Sequence, residues 1–94
     1  MEVSGFVWSE EIIDKLAWKH QIHVAEVVEL FANKPRFERL QRGHHRGEDL
    51  YVATGRTDAG RYLAVFFIRK QTGQALIVTA RDLTAKERRR YEKK

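Results

Sequence analysis

The sequence predicts a single α+β domain over residues 1–94, with two N-terminal helices, an antiparallel sheet of three or four strands and a C-terminal helix. Apolar residues recur at helical spacing in the first third of the chain, whereas the second half alternates β-branched and aromatic runs with short turns. A helix-capping pattern follows the last of these runs. Ninety-four residues suffice for one modest hydrophobic core, so one domain is expected.

The first predicted helix follows a short apolar run, 6–8, which forms either a first strand or a hydrophobic anchor. Ser9 is a favourable N-cap, and Glu10 and Glu11 occupy the first turn, where the helix dipole favours acidic side chains. The helix is expected to run to about His20, and its apolar face comprises Ile12, Ile13, Leu16 and Ala17.

The second predicted helix begins after a tight corner near Gln21 and Ile22. Its apolar residues have the i, i+3, i+4, i+7 spacing of one buried stripe, formed by Val24, Val27, Val28 and Phe31. Pro35 cannot continue a helix, so it is expected to end this element within a residue or two.

The strands are predicted in the second half of the chain. Residues 36–42 alternate apolar side chains with cations, which indicates an edge strand. Residues 51–55 and 62–68 are the clearest strands, and the second is apolar on both faces, which is typical of a central strand. Turns at 57–60 and 71–74 are short, so neighbouring strands are expected to be antiparallel.

The last predicted strand begins with the apolar run 76–79 and ends at Arg81, directly before a basic helix. Thr84 and Glu87 form a capping box, in which each side chain accepts a hydrogen bond from the backbone N–H of the other residue. Three arginines and Tyr91 follow in this helix. Clustered cations repel one another, so they favour an anionic ligand, although cations near a helix C-terminus are also favourable by themselves.

Positive charge is concentrated in two segments of this chain, whose net charge is +5. Residues 36–46 contain four arginines and one acid, and residues 81–94 contain seven cations and three acids. The expected partners are therefore anionic, with nucleic acid or an acidic protein ahead of a lipid surface.

The composition also excludes several classes of protein. Without cysteine there are no disulfides, thiolate metal sites or cysteine nucleophiles. No apolar run approaches the ~20 residues of a membrane span, and the N-terminus is acidic and lacks a hydrophobic signal region. A soluble, cytoplasmic protein is expected.

No phosphate-binding loop, Ser-His-Asp set or carboxylate pair is present. His44 and His45 are adjacent and lack nearby cysteines, which argues against zinc and leaves a phosphate or 2′-hydroxyl contact, or simple exposure. The remaining arginines, histidines, lysines and tyrosines suit metal-free RNA cleavage, which needs a base, an acid and cations for the extra phosphate charge. By composition, simple nucleic-acid binding fits equally well.

The chain resembles the BrnT family of type II toxins, which have the RelE-like ribonuclease architecture. The resemblance covers nearly the whole length and rests on residues 6–9, Lys19-His20, 52–56, 79–81 and 86–91. It implies a metal-independent ribonuclease without a cofactor that arrests translation. It also implies a BrnA-like antitoxin partner, operator DNA bound only through the toxin–antitoxin complex, and a homodimer or toxin–antitoxin heterotetramer.

The resemblance also implies a catalytic set, in which Arg81 stabilises the phosphorane charge and Arg56 positions phosphate. His20 or Tyr91 transfers protons, and Lys19 neutralises backbone charge, while Glu87 is left to capping. Further contacts with RNA are expected from Arg42, His44, His45, Arg46, Arg61, Arg88 and Arg89.

The chain departs from the family pattern in and after the first helix. Ile12 and Leu16 occupy positions where the family usually carries Lys and Asn. Gln21 replaces the glycine after Lys-His, and His23 replaces the Ser/Thr N-cap. The alternative hypothesis is therefore a catalytically weak or inactive member that binds RNA or an antitoxin. A DNA-binding domain is a weaker alternative, because no helix-turn-helix pattern is visible.

Overall fold

The computed structural model describes residues 1–44 and 48–93, which have the α+β architecture predicted from the sequence. The elements in chain order are β1 (Gly5–Val7), α1 (Glu10–His20), α2 (Val24–Ala32), β2 (Arg36–Gln41), β3 (Leu50–Arg56), β4 (Tyr62–Arg69), β5 (Gln74–Asp82) and α3 (Ala85–Lys93). The strands form one sheet in the order β1-β5-β4-β3-β2. Within the described residues, no helix is long and apolar enough to pass through a membrane.

The sheet in the described part of the chain has five strands and is mixed. The prediction of three or four antiparallel strands is therefore wrong in the number of strands and in the direction of the edge strand β1. β1 pairs parallel with β5, whereas β2–β3, β3–β4 and β4–β5 are antiparallel as predicted. Helices α1 and α2 carry the chain from one edge of the sheet to the other, which leaves β1 beside the last strand. A three-residue strand is too short to show an alternating pattern in the sequence.

Helix α1 begins and ends close to the predicted residues. The Ser9 hydroxyl accepts a hydrogen bond from the Ile12 N–H at 3.1 Å, as expected of an N-cap. The helix ends at His20, and Gln21 adopts the left-handed conformation with φ 53°. The Gln21 backbone therefore turns the chain at the position where the resemblance implied a glycine.

Helix α2 has a narrower buried face than predicted. Val27 and Leu30 are fully buried, but Val28 is 40% exposed, so the prediction that Val28 belongs to the buried stripe is wrong. The helix packs mainly on β3, and only the side that faces the sheet is covered. At its start, the Glu26 carboxylate accepts the His23 N–H at 3.0 Å, so a side chain from the first turn satisfies an otherwise free backbone donor.

The central strand β4 divides the molecule into two sides. Leu63, Val65 and Phe67 are fully buried in the hydrophobic core beneath α1 and α2, on what we call the core face. Because side chains alternate along a strand, Tyr62, Ala64 and Phe66 point to the opposite side, which we call the cleft face. The prediction that this strand is central is confirmed.

Strand register aligns residues in rows across the cleft face. One row runs from Arg36 through Thr54 and Ala64 to Arg81, with small side chains between two arginines. The neighbouring row contains Glu38, Val52, Phe66 and Thr79. Helix α3 follows β5 and lies over the end of the sheet that carries the first row.

Candidate functional site

The cleft face and α3 enclose a cleft of about 430 Å³. Thr54 and Ala64 form part of its floor, and their small side chains leave the space beneath α3. The cations that line it are Arg36 from β2, Arg81 from β5 and Arg90 from α3. Apolar and aromatic side chains complete the lining, including Leu40, Val52, Phe66 and Tyr91. The site therefore combines positive charge with an apolar floor.

Arg81 is fixed at the end of β5 by a two-point ion pair. Its Nη1 and Nη2 atoms donate to the Glu87 carboxylate at 2.7 and 2.9 Å, and Nη1 also donates to the Asp82 carbonyl at 3.1 Å. The guanidinium carbon lies 5.5 Å from the centre of the Phe66 ring. The hydrogen bonds to Glu87 raise the pKa of Arg81, which therefore remains charged.

Glu87 joins the cleft to the start of α3. One of its oxygens accepts the Thr84 N–H at 2.9 Å, and the Thr84 hydroxyl accepts the Glu87 N–H at 3.1 Å, which confirms the predicted capping box. The hydrogen bonds from Arg81 and then from the Thr84 backbone lower the pKa of Glu87 to about 2. A carboxylate held in this way is a poor general base, because it binds a proton only in strong acid.

A second polar cluster surrounds Tyr62 at the end of the cleft face. The Tyr62 hydroxyl donates to Glu92 at 2.8 Å, and this hydrogen bond is the main reason for the lowered pKa of Glu92. The guanidinium carbons of Arg88 and Arg56 lie 4.2 and 5.3 Å from the Tyr62 ring centre. Tyr91 packs edge-on against the same ring, with 5.9 Å between centroids. Cation–π and aromatic contacts thus hold α3 against β3 and β4.

The sequence that forms this cleft matches the model of a known protein family over most of its length. The match is to the model described as "Ribonuclease toxin, BrnT, of type II toxin-antitoxin system", over residues 8–87. This chain belongs to the BrnT family. A search of curated proteins found no match. Membership in the BrnT family implies an RNA target and a protein antitoxin as partner.

The BrnT match includes four of the five predicted catalytic residues, Lys19, His20, Arg56 and Arg81, whereas Tyr91 lies beyond its end. The structure brings Arg81 and Tyr91 together in the lining of the cleft, with Arg56 beside it over Tyr62. Lys19 is exposed and His20 is half-buried at the end of α1, on the core-face side of the sheet.

Arg61 was expected to contact RNA, but the structure gives it a set of internal partners. It forms ion pairs with Asp82 at 2.8 Å and Glu26 at 3.2 Å, and it donates to the carbonyls of His20 and Gln21 at 2.9 and 2.6 Å. The hydrogen bond to Asp82 is the main cause of its raised pKa. Arg61 therefore fastens the corner between α1 and α2 to the ends of β4 and β5.

The other predicted RNA contacts are spread along the rim of the molecule. Arg42 and His44 follow β2 and are exposed, and Arg89 is exposed on α3. Arg88 packs on Tyr62 and lies 3.5 Å from Glu92. His45 and Arg46 lie outside the described residues.

Packing explains the two apolar residues of α1, Ile12 and Leu16, that depart from the BrnT pattern. Leu16 is 1% exposed and belongs to the core, and Ile12 is half-buried against it. Both apolar side chains therefore face the interior, and neither lines the cleft.

Sequence reasoning missed Arg90 of α3 and, in the sheet, the polar residues Arg36, Glu38 and Tyr62. The alternation of side chains between the two faces of β2 and β4 can be read from the sequence. The register that brings Arg36, Glu38 and Tyr62 to the same face as Arg81, however, depends on strand pairing. In the described part of the chain, no group of three or more His, Cys, Asp or Glu side chains is arranged to hold a metal ion.

Proposed function

We propose that this BrnT-family protein is a metal-independent endoribonuclease that inhibits translation and is neutralised by a BrnA-like antitoxin. In this mechanism the 2′-hydroxyl of RNA attacks the adjacent phosphate, and the protein stabilises the charge of the phosphorane. The reaction takes place on cytoplasmic RNA. The antitoxin links the complex to operator DNA, as a heterotetramer or through a toxin homodimer.

The hydrogen bonding of Arg81 is the observation that carries this proposal. A guanidinium has five N–H donors, and the partners of Arg81 are Glu87, through Nη1 and Nη2, and the Asp82 carbonyl, through Nη1. Among the described residues no acceptor is bound to Nε, so the edge formed by Nε and the second Nη2 hydrogen is available. This edge has the spacing for two hydrogen bonds to one phosphate.

Proton transfer is assigned to Tyr91 ahead of His20. Tyr91 lines the same cleft as Arg81, whereas His20 lies at the end of α1. The attacking 2′-hydroxyl loses its proton to water, and the protonated phenol of Tyr91 supplies the leaving 5′ oxygen with a proton, which is the role of a general acid. Arg56 keeps its proposed role in binding phosphate, whereas Lys19, which precedes His20 at the end of α1, is left outside the cleft.

Contacts with the rest of the RNA are assigned to exposed cations on both sides of the cleft. Arg88 and Arg89 belong to α3, and Arg42 and His44 follow β2. Such contacts bind phosphate without reading sequence, so their contribution falls as salt concentration rises. Arg61 is left out of this set because its donors already serve Glu26, Asp82 and two carbonyls.

The test is induced expression in a bacterial host of the wild type, Arg81→Ala and the control Arg69→Ala. Arg69 is a cation of β4 that donates to the Glu2 carbonyl and does not line the cleft. Growth arrest and RNA cleavage are expected from the wild type and the control, and not from Arg81→Ala. Normal growth with intact RNA from folded wild-type protein would support the binding-module alternative, and undiminished toxicity of folded Arg81→Ala would exclude Arg81 from the site.

A further inference from the structure

Glu38 is an exposed carboxylate in an otherwise positive cleft. It lies on the cleft face of β2, two residues from Arg36, and lines the cleft together with Arg81 and Arg90. Among the described residues it forms no salt bridge or side-chain hydrogen bond, although other acids of the site, Glu87 and Glu92, are paired with arginines. Its oxygens are therefore free to accept hydrogen bonds from a ligand.

A carboxylate at this position opposes phosphate binding. Two negative groups in contact repel each other, so a phosphate bound by Arg81 does not extend to Glu38. The groups of RNA that a carboxylate attracts are hydrogen-bond donors, namely the 2′-hydroxyl and the N–H groups on the edges of the bases, and only the N–H groups distinguish one base from another. Glu38 thus fits the base of a nucleotide whose phosphate is held elsewhere in the cleft.

The floor beside Glu38 is suited to an aromatic ring. Val52 and Phe66 follow Glu38 in the same row of the sheet, and Leu40 is 45% exposed at the edge. A cleft of about 430 Å³ lies within the range of about 300–1,000 Å³ typical of small-ligand sites. Unpaired RNA bases are recognised in this manner, by apolar or aromatic contact with the ring and hydrogen bonds to its edge.

The distance between Glu38 and Arg81 suits one nucleotide. They lie on strands separated by β3 and β4 and in adjacent rows, and strands ~4.8 Å apart give a Cα separation of roughly 15 Å. Both residues line the cleft. Phe66 lies between them, in contact with the Arg81 guanidinium and in the row of Glu38.

We propose that the cleft binds one unpaired base of the RNA and that Glu38 selects guanine. Guanine is the one common base whose pairing edge presents two adjacent N–H donors, N1–H and the exocyclic amine, and a carboxylate accepts both. Adenine and cytosine offer one amine donor each, beside a ring nitrogen that repels a carboxylate. The inference rests on the proposed ribonuclease function and adds a sequence preference to it.

The first arm of the test is cleavage of a randomised RNA pool by purified protein, with sequencing of the cut ends. The variants are Glu38→Gln, Glu38→Ala and the control Glu10→Gln, which changes an exposed acid in the first turn of α1. The wild type and the control are expected to favour guanine at one fixed position beside the cut. Both Glu38 variants are expected to lose about 10-fold of that preference, the order expected for one two-point base contact.

The second arm measures the binding of short 2′-O-methyl RNAs, which cannot be cleaved. These RNAs differ only at the base that the cleavage experiment identifies; if no cleavage occurs, each position of the RNA is varied in turn. Tighter binding of the guanine oligonucleotide by the wild type, lost in Glu38→Ala, supports the inference even if the wild type cleaves no RNA. The absence of cleavage would overturn only the proposed function. Cleavage with equal preference in wild type and variants overturns the role of Glu38. So does a uniform loss of rate over all sequences, which indicates a role in the chemistry instead.

Discussion

Arg81 and Glu87 form a two-point ion pair, with nitrogen–oxygen distances of 2.7 and 2.9 Å, that connects the end of β5 to the first turn of α3. Glu87 is also the acceptor of the Thr84 capping box. One carboxylate thus caps the helix and orients the guanidinium beneath it. The edge that Arg81 presents to the cleft is therefore linked to the position of α3.

Substitutions of Glu87 and Thr84 are expected to separate these two roles. Glu87→Gln retains a side chain that can cap the helix but removes the charge that orients Arg81, so RNA cleavage is expected to fall by about 10-fold and the stability that the ion pair supplies is expected to be lost with it. Thr84→Ala removes the cap acceptor but keeps the ion pair, so it is expected to cost about 1 kcal/mol with cleavage retained. Denaturant unfolding measures the stability of each variant, and single-turnover kinetics measures its cleavage rate. An equal loss of cleavage rate in Glu87→Gln and Thr84→Ala would contradict the orienting role of Glu87.

The pH dependence of stability is expected to report the same ion pair. The pKa of Glu87 is lowered from 4.5 to about 2 in the folded protein, so the pair contributes its full stability above about 4.5, where the unfolded carboxyl is also ionised. This contribution is lost as the pH falls from about 4.5 through about 2. The difference in unfolding free energy between the wild type and Glu87→Gln should therefore shrink across that window in urea titrations. A difference that is constant with pH would contradict the assigned cause.

Arg61→Ala is expected to destabilise the fold by about 2 kcal/mol, because it breaks two ion pairs and removes the donor from two carbonyls. Arg61→Lys should recover only part of this loss, since one ammonium cannot reproduce the planar geometry of the guanidinium. Thermal and urea unfolding provide the measurement. Folded Arg61→Ala protein should bind RNA with an affinity near that of the wild type. A large loss of RNA affinity at unchanged stability would instead show that Arg61 contacts RNA.

Restoring the residues usual in the family at the two apolar positions of α1 is expected to have unequal results. Leu16→Asn buries an amide at a position that is 1% exposed, so it should cost about 3 kcal/mol. Ile12→Lys should cost less, because Ile12 is half-buried and a lysine stem can follow the surface while its ammonium reaches water. Unfolding free energies of the two variants give the comparison, and a stable Leu16→Asn protein would show that this part of the core can rearrange.

Local elements could be read from the sequence because their signals are local. Ser9, His20 and the Thr84–Glu87 box mark helix ends through contacts within one turn, and each is observed. The apolar run of β4 likewise identifies the central strand. Val28 was misassigned because helical spacing alone permits more than one buried face, and the packing of α2 on the sheet selects among them.

The sequence by itself determined the fold class, the position of most elements, the concentration of positive charge and the place of Arg81 at the end of the last strand, directly before a basic helix. Tertiary structure alone decided that β1 runs parallel to β5, that Arg61 is bound by ion pairs to Glu26 and Asp82, and that Arg36 and Glu38 face the same cleft as Arg81. Capping and periodicity depend on residues a few positions apart. Strand register and ion pairs such as Arg61–Glu26 join residues far apart in the chain, so they exist only once the sheet has formed.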